Sequence, residues 1–158
     1  MLLYLARHGE AMPAVIDQTK PLTKLGRKEI EKVGNYLKTK NIEVDEIWCS
    51  MKKRAVETAN IYAESMCRKD KVRSEDGLNP DDPPEPIQDK INAIAAANEA
   101  YRIMIVGHLP FLPTLAACLL NRPLQGIEYI PGTIVRLSSD ADLNWKLDGS
   151  VNPTQVAM

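Results

Sequence analysis

Several things are scarce in this chain, and each scarcity excludes a class of protein. No apolar stretch approaches the ~18 residues of a membrane-spanning helix, so no membrane partner is expected. Charge of one sign is missing as well. The 20 basic residues face 21 acidic ones, a formal net charge of −1. That balance offers no electrostatic ground for binding nucleic acid or an acidic membrane surface. Cysteine is limited to Cys49, Cys67 and Cys118, and no two stand in a Cys-x-x-Cys spacing. Zinc and disulfide frameworks both need closer sets. With no other ligand set in view, neither a metal nor a cofactor is expected. Sparse, unpaired cysteine fits a reducing cytoplasm. The opening Met-Leu-Leu-Tyr-Leu-Ala has no basic residue ahead of it and runs directly into Arg7. A secretory leader is therefore not expected.

What is present suits one globular domain. The chain has 158 residues, 44% apolar and 26% charged, enough to bury roughly two-thirds of its unfolded surface. No repeat, low-complexity run or linker divides it. We expect a single domain over 1–151 with a loosely held tail over 152–158, in a monomer.

Leu2–Ala6 is a short apolar run that ends at Arg7-His8-Gly9 and reads as a buried strand. A loop with Pro13 and Pro21 follows. Thr23 suits the N-cap of a helix with Ile30, Val33 and Leu37 on one face. Glu46–Cys49 reads as a second strand. A helix over about Lys53–Met66 follows, with Ala55, Ala59, Tyr62, Ala63 and Met66 at helical spacing. Asp76–Pro86 holds four prolines, three aspartates and a glycine, so it reads as loop. Ile87, Ile91, Ile94 and Ala95 mark another helix. Ile103–Val106 is a β-rich run that reads as a central strand. Pro110 suits the first turn of a helix to about Leu120. Thr133–Leu137 and Leu143–Leu147 read as two strands about a polar turn. Alternating strands and helices followed by a terminal strand pair predict an α/β fold. The expected architecture is a three-layer α/β/α sandwich with a mostly parallel central sheet and an antiparallel C-terminal pair.

There are two histidines, His8 and His108. Each follows a predicted buried strand and each neighbours a glycine. Ligand crevices of open α/β sheets lie outside the carboxyl ends of the strands, so both imidazoles can meet in one crevice. Arg7 adjoins His8. Arg54 opens the helix after the second strand, although Lys52 and Lys53 before it also suit a solvated face. A guanidinium binds phosphate through two parallel hydrogen bonds and stays charged at any working pH. Two arginines near two histidines suit a phosphoryl group better than a neutral ligand.

The run Arg7-His8-Gly9-Glu10 after a first strand resembles the signature of the histidine phosphatase superfamily, to which phosphoglycerate mutases also belong. Ser50-Met51-Lys52-Lys53-Arg54-Ala55-Val56-Glu57-Thr58-Ala59 resembles its second motif, and Val106-Gly107-His108 resembles the step at its second histidine. Pro21-Leu22-Thr23 and His108-Leu109-Pro110 are similar to the small SixA branch, which acts on phosphohistidine in signalling proteins. The resemblance spans Leu2 to about Trp145. It implies that His8 is the nucleophile and becomes phosphohistidine. It implies that Arg7, Arg54 and His108 bind the phosphoryl oxygens. The substrate would be a phosphorylated protein or a small phosphorylated molecule. A neutral imidazole, with an ordinary pKa of ~6.5, is a suitable nucleophile near pH 7.

One part of the superfamily pattern is absent. Many members carry a carboxylic acid directly after the second histidine, and here Leu109 stands there. Asp81 and Asp82 in the proline-rich loop, and Asp17, are the candidate acids; all three also read as solvated loop carboxylates. Cys49 ahead of Arg54 suggests a thiolate phosphatase, but that loop needs five intervening residues and only Ser50, Met51, Lys52 and Lys53 intervene. Cys49 and Cys118 read better as core. Two further alternatives are a phosphatase of small metabolites and a phosphate-binding module without chemistry.

Overall fold

A computed structural model describes residues 1–156. Ten regular elements alternate along the chain. They are β1 (Leu2–Arg7), α1 (Lys24–Thr39), β2 (Glu46–Cys49), α2 (Lys53–Ser65), β3 (Val72–Ser74), α3 (Glu85–Ala97), β4 (Arg102–Gly107), α4 (Phe111–Leu120), β5 (Ile134–Ser139) and β6 (Trp145–Val151). The six strands form one sheet in the order β3-β2-β4-β1-β5-β6. β3, β2, β4 and β1 run parallel, while β5 and β6 add to the β1 edge antiparallel.

Period-two alternation along the strands feeds two separate cores. Tyr4, Ala6, Ile47, Cys49, Met104 and Val106 face α1 and α2, where Ile30, Val33, Leu37, Ala59 and Tyr62 are buried. Leu3, Leu5, Trp48, Ile103 and Ile105 face α3 and α4, where Ile87, Ile91, Phe111 and Leu115 are buried. The three-layer α/β/α sandwich with a mostly parallel sheet is thus the observed architecture.

α1 begins as its sequence predicts. Thr23 accepts from Gly26 N–H at 2.9 Å. Gly26 lets the helix start press against the loop after His8, because a Cβ there would run into the Glu10 carbonyl oxygen. Thr23 N–H donates to that same oxygen at 3.0 Å. On the loop side, a Cβ on Gly9 would sit 2.7 Å from Ile30 Cγ1. The backbone at Gly9–Glu10 is therefore clamped by a helix end.

The structure departs from the sequence reading in five places. β3 was not foreseen; Val72–Ser74 is a three-residue edge strand too short to carry a pattern. The proline-rich segment ends at Pro84 rather than Pro86, because Pro86 occupies the first turn of α3, where its missing N–H costs nothing. The last two strands lie later than the apolar pattern suggests. Leu143 belongs to the turn, with φ +61°, and pairing continues to Val151. The tail is held over residues 152–156. Asn152 and Gln155 form a reciprocal cap on a 3₁₀ turn, and Val156 is buried in the core under α1 and α2. Residues 157–158 lie outside the described residues. Cys118 is also less enclosed than its apolar run implies, being half-buried.

Candidate active site

The sheet register brings the three sequence motifs to one level. Arg7 pairs with Gly107 across β1 and β4. Cys49 pairs with Val106 across β2 and β4. His8, His108 and Ser50 therefore leave three adjacent parallel strands side by side. The ladder runs on past the strands, with His8 N–H donating to the Gly107 carbonyl at 3.0 Å and Ser50 N–H to the Val106 carbonyl at 3.2 Å. The two imidazole centroids stand 5.0 Å apart, inclined at 57°.

Each side chain is held by a partner that orients it. His8 Nδ1 lies 2.7 Å from the Gly9 carbonyl oxygen. A carbonyl only accepts, so Nδ1 carries the hydrogen and Nε2 keeps its lone pair. Arg54 Nε donates to that Nε2 at 3.3 Å. Thr58, fully buried on the next turn of α2, donates to the Arg54 carbonyl at 2.8 Å and accepts from Gly9 N–H at 3.1 Å. This one hydroxyl ties the arginine's helix to the histidine's loop. Arg7 donates from a terminal nitrogen to the Tyr129 carbonyl at 2.6 Å. The Tyr129 hydroxyl donates back to the Leu5 carbonyl at 2.7 Å. Gly132 N–H completes the brace on the carbonyls of Arg7 and His8.

His108 is buried, at 1% exposure. Its Nε2 lies 2.8 Å from Ser50 Oγ, which also accepts from Lys52 N–H at 3.3 Å. His108 Nδ1 and Arg7 Nε are buried and find no partner in the protein. Leaving such a group unpaired costs about 1–3 kcal/mol, so both are poised for an acceptor ligand.

The cleft beside His8 is open, about 420 Å³, and lined by Arg7, His8, Glu10, Met12, Lys20 and Arg54 among others, while His108 and Ser50 lie behind His8 and do not line it. Lys20 was not anticipated from the sequence. It lies in a loop with φ +49°, and nothing in its polar neighbourhood distinguishes it from a surface lysine. Ser50 was legible only as part of a motif. Of the candidate acids, none lines the cleft. Asp17 accepts from Thr19 N–H at 2.9 Å and Thr19 Oγ at 2.7 Å. Those bonds hold its carboxyl below the usual range, which suits an acceptor rather than an acid. Asp82 caps Asn79 N–H at 2.8 Å. Asp81 is exposed. The carboxylate that does line the cleft is Glu10. Among the described residues, no group of three or more His, Cys, Asp or Glu side chains is placed to hold a metal ion. Cys49 is buried, and burial pushes its thiol up. A reactive thiolate needs the opposite shift.

Both imidazoles are held neutral. Burial drives His8 down to about 4; the Gly9 carbonyl opposes this, and Arg54, Arg7 and Lys20 reinforce it. Burial likewise drives His108 down to about 3, with His8, Arg54, Lys52 and Lys20 adding to the effect. In the unfolded chain each would titrate near 6.5. Below pH 6.5 the unfolded chain therefore takes up protons that the folded one refuses. The resulting stability is complete above pH 6.5 and falls as the pH drops toward 4. Between pH 7 and 5, urea unfolding should lose up to about 2 kcal/mol for each histidine. A His8→Asn/His108→Asn double variant should lose much less. Ring ¹⁵N shifts of both histidines should stay at neutral values down to pH 5; a midpoint near 6.5 for either would contradict this environment.

Fold and site together define a phosphoryl hydrolase of the phosphatase class, built on strand ends of an α/β/α sandwich. The sequence profile of the histidine phosphatase superfamily, branch 1, matches residues 3–80, which include Arg7, His8, Ser50 and Arg54. The chain belongs to the histidine phosphatase superfamily. No curated protein matches its sequence. The protein histidine phosphatase SixA in complex with tungstate is similar in structure, at 21% identity, with 98% of each chain covered and a TM-score of 0.87. A Nakamurella multipartitia protein carrying the SixA name is 25% identical, covering 96% of this chain and 95% of its own, with a TM-score of 0.74. A mycobacterial glucosyl-3-phosphoglycerate phosphatase is 18% identical, covering 94% and 97%, with a TM-score of 0.74. The shared fold is that of the SixA type. Among the described residues no helix is long and apolar enough to cross a membrane.

Proposed function

We propose that the protein is a phosphohistidine phosphatase that works through a phosphohistidine on His8. The observation that carries this reading is the lone pair on His8 Nε2, kept unprotonated by the Nδ1–H bond to Gly9 and held by Arg54 Nε–H. The His8 Nε2 lone pair attacks phosphorus, and the bond from phosphorus to the substrate's leaving atom breaks. The leaving group keeps that electron pair. Water then attacks the same phosphorus, the P–Nε2 bond breaks, and inorganic phosphate leaves. Arg7, Arg54 and His108 bind the phosphoryl oxygens. Phosphoryl transfer is mainly positioning and charge stabilisation, so a fixed cationic cradle carries most of the catalysis. For His108 to donate from Nδ1, Ser50 Oγ–H must donate to its Nε2. The Lys52 N–H bond to Ser50 Oγ leaves that hydrogen free to do so.

None of the three candidate aspartates lines the cleft, which supports phosphohistidine as substrate and leaves Glu10 as the one carboxylate there to test. General acid catalysis contributes roughly 10²–10⁴-fold when the leaving group is poor. A phosphohistidine imidazole protonated on its other nitrogen leaves as a neutral molecule. An alkoxide needs a proton badly. Rates should therefore rank phosphoramidate above aryl ester above alkyl ester. Asp17→Asn, Asp81→Asn and Asp82→Asn should each change phosphoramidate turnover by only a few-fold, and Glu10→Gln, nearer the cleft, is the informative fourth. The measurement is kcat/KM for matched substrates on these variants. Comparable alkyl-ester rates that depend on one carboxylate would instead favour a phosphatase of small metabolites. The free thiols Cys49, Cys67 and Cys118 support a place in a reducing cytoplasm.

A further inference from the structure

Exposed apolar side chains scattered singly over a surface mean little. Here they gather at one end. The most exposed large apolar residues are Val15 at 92%, Ile16 at 72%, Met51 at 63% and Leu25 at 56%. Val15 and Ile16 ride on the loop that gives Met12, Pro13 and Lys20 to the cleft. Met51 directly follows Ser50, the partner of His108. Leu25 precedes Gly26, which packs on Glu10. Val15 and Ile16 lie between Pro13 and Lys20, and Met51 lies three residues before Arg54, so both segments border the cleft that Pro13, Lys20 and Arg54 line.

Charge gathers at the same mouth. Lys20, Lys52 and Lys53 stand beside Arg7 and Arg54, and none of the three lysines forms an ion pair among the described residues. The carboxylates there are Glu10 and Asp17, the latter bonded to Thr19. A phosphoryl group alone reaches only the bottom of the cleft, so it leaves the apolar and basic rim unused. Apolar residues beside an excess of cations over carboxylates fit a surface that is itself apolar and acidic.

We propose that this rim is a docking surface for a phosphorylated polypeptide with acidic and apolar side chains flanking the phosphorylated residue. This rests on the phosphatase reading of the site and adds the partner's chemistry to it. The test uses phosphoramidate and two synthetic phosphohistidine peptides of equal length, one flanked by Glu and Leu, the other by Lys and Ser. Wild type should favour the acidic-apolar peptide by about tenfold or more in kcat/KM. The Val15→Asp/Ile16→Asp double variant and Lys53→Glu should each erase that preference through KM, with phosphoramidate turnover unchanged within about twofold. Equal rates on the two peptides, or a loss that phosphoramidate shares, would overturn the proposal. So would a sedimentation-equilibrium dimer split by the double variant, which assigns the face to a second copy. Binding to phosphatidylserine vesicles that Lys53→Glu abolishes would assign it to a membrane and overturn it as well. If wild type turns over none of the three substrates, the phosphatase reading itself fails.

Discussion

His8→Ala should abolish turnover of phosphoramidate and of both ester classes, by about 10⁴-fold or more, the order of loss that follows removal of a covalent nucleophile. The expectation rests on three bonds at one residue, two of them at its ring. Gly9 fixes the tautomer, Gly107 fixes the backbone, and Arg54 Nε lies 3.3 Å from the attacking nitrogen. The other candidates are worse placed: His108 is buried behind Ser50 and does not line the cleft, and the Cys49 side chain packs in the core beneath α1 and α2. Brief incubation of wild type with labelled substrate should trap an acid-labile, base-stable phosphoenzyme, and His8→Ala should trap none. Because His8 bears on a packed loop, the variant's fold is checked by circular dichroism before its activity is read. Near-normal turnover in a folded His8→Ala would refute the covalent mechanism.

Arg54→Ala should lower kcat/KM by ~10²-fold or more, since a charge-assisted contact to the transferring phosphoryl group contributes several kcal/mol to the transition state. Burial holds the Arg54 guanidinium below its ordinary pKa, yet an arginine so shifted is still fully charged at neutral pH. Arg54→Lys should recover only part of the loss. An ammonium restores charge but cannot present a planar fork to two phosphoryl oxygens while also facing His8 Nε2. The phosphoenzyme should still form on His8 in Arg54→Ala, only slowly, which separates this residue's role from that of the nucleophile. Full activity in Arg54→Lys would mean that charge alone matters at this position.

Much of this protein can be read from local chemistry. Strands buried on both faces are continuous apolar runs, so Leu2–Ala6 and Ile103–Val106 announce themselves, and a histidine after each is visible without coordinates. Thr23 announces α1 because a hydroxyl cap acts within three residues. The placement of Arg7, His8 and His108 was legible for the same reason, each at a strand end that its own neighbours specify, whereas Arg54 stood out only through the Ser50–Ala59 motif. What local chemistry could not decide was register and long-range contact. That β4 inserts between β1 and β2, setting Arg7 opposite Gly107 and Cys49 opposite Val106, follows from packing of whole layers. The Ser50–His108 pair, 58 positions apart, exists only because of that insertion. Lys20 enters the cleft through the path of a loop. Asp17, Asp81 and Asp82 stay off it for the same kind of reason, since loop paths are set by tertiary contacts that no sequence period records. The end of the chain is the clearest case. Asn152–Gln155 is polar enough to read as a loose tail, yet Pro153 meets Gly132 and Val156 fills the core, because burial there depends on partners more than 20 residues away.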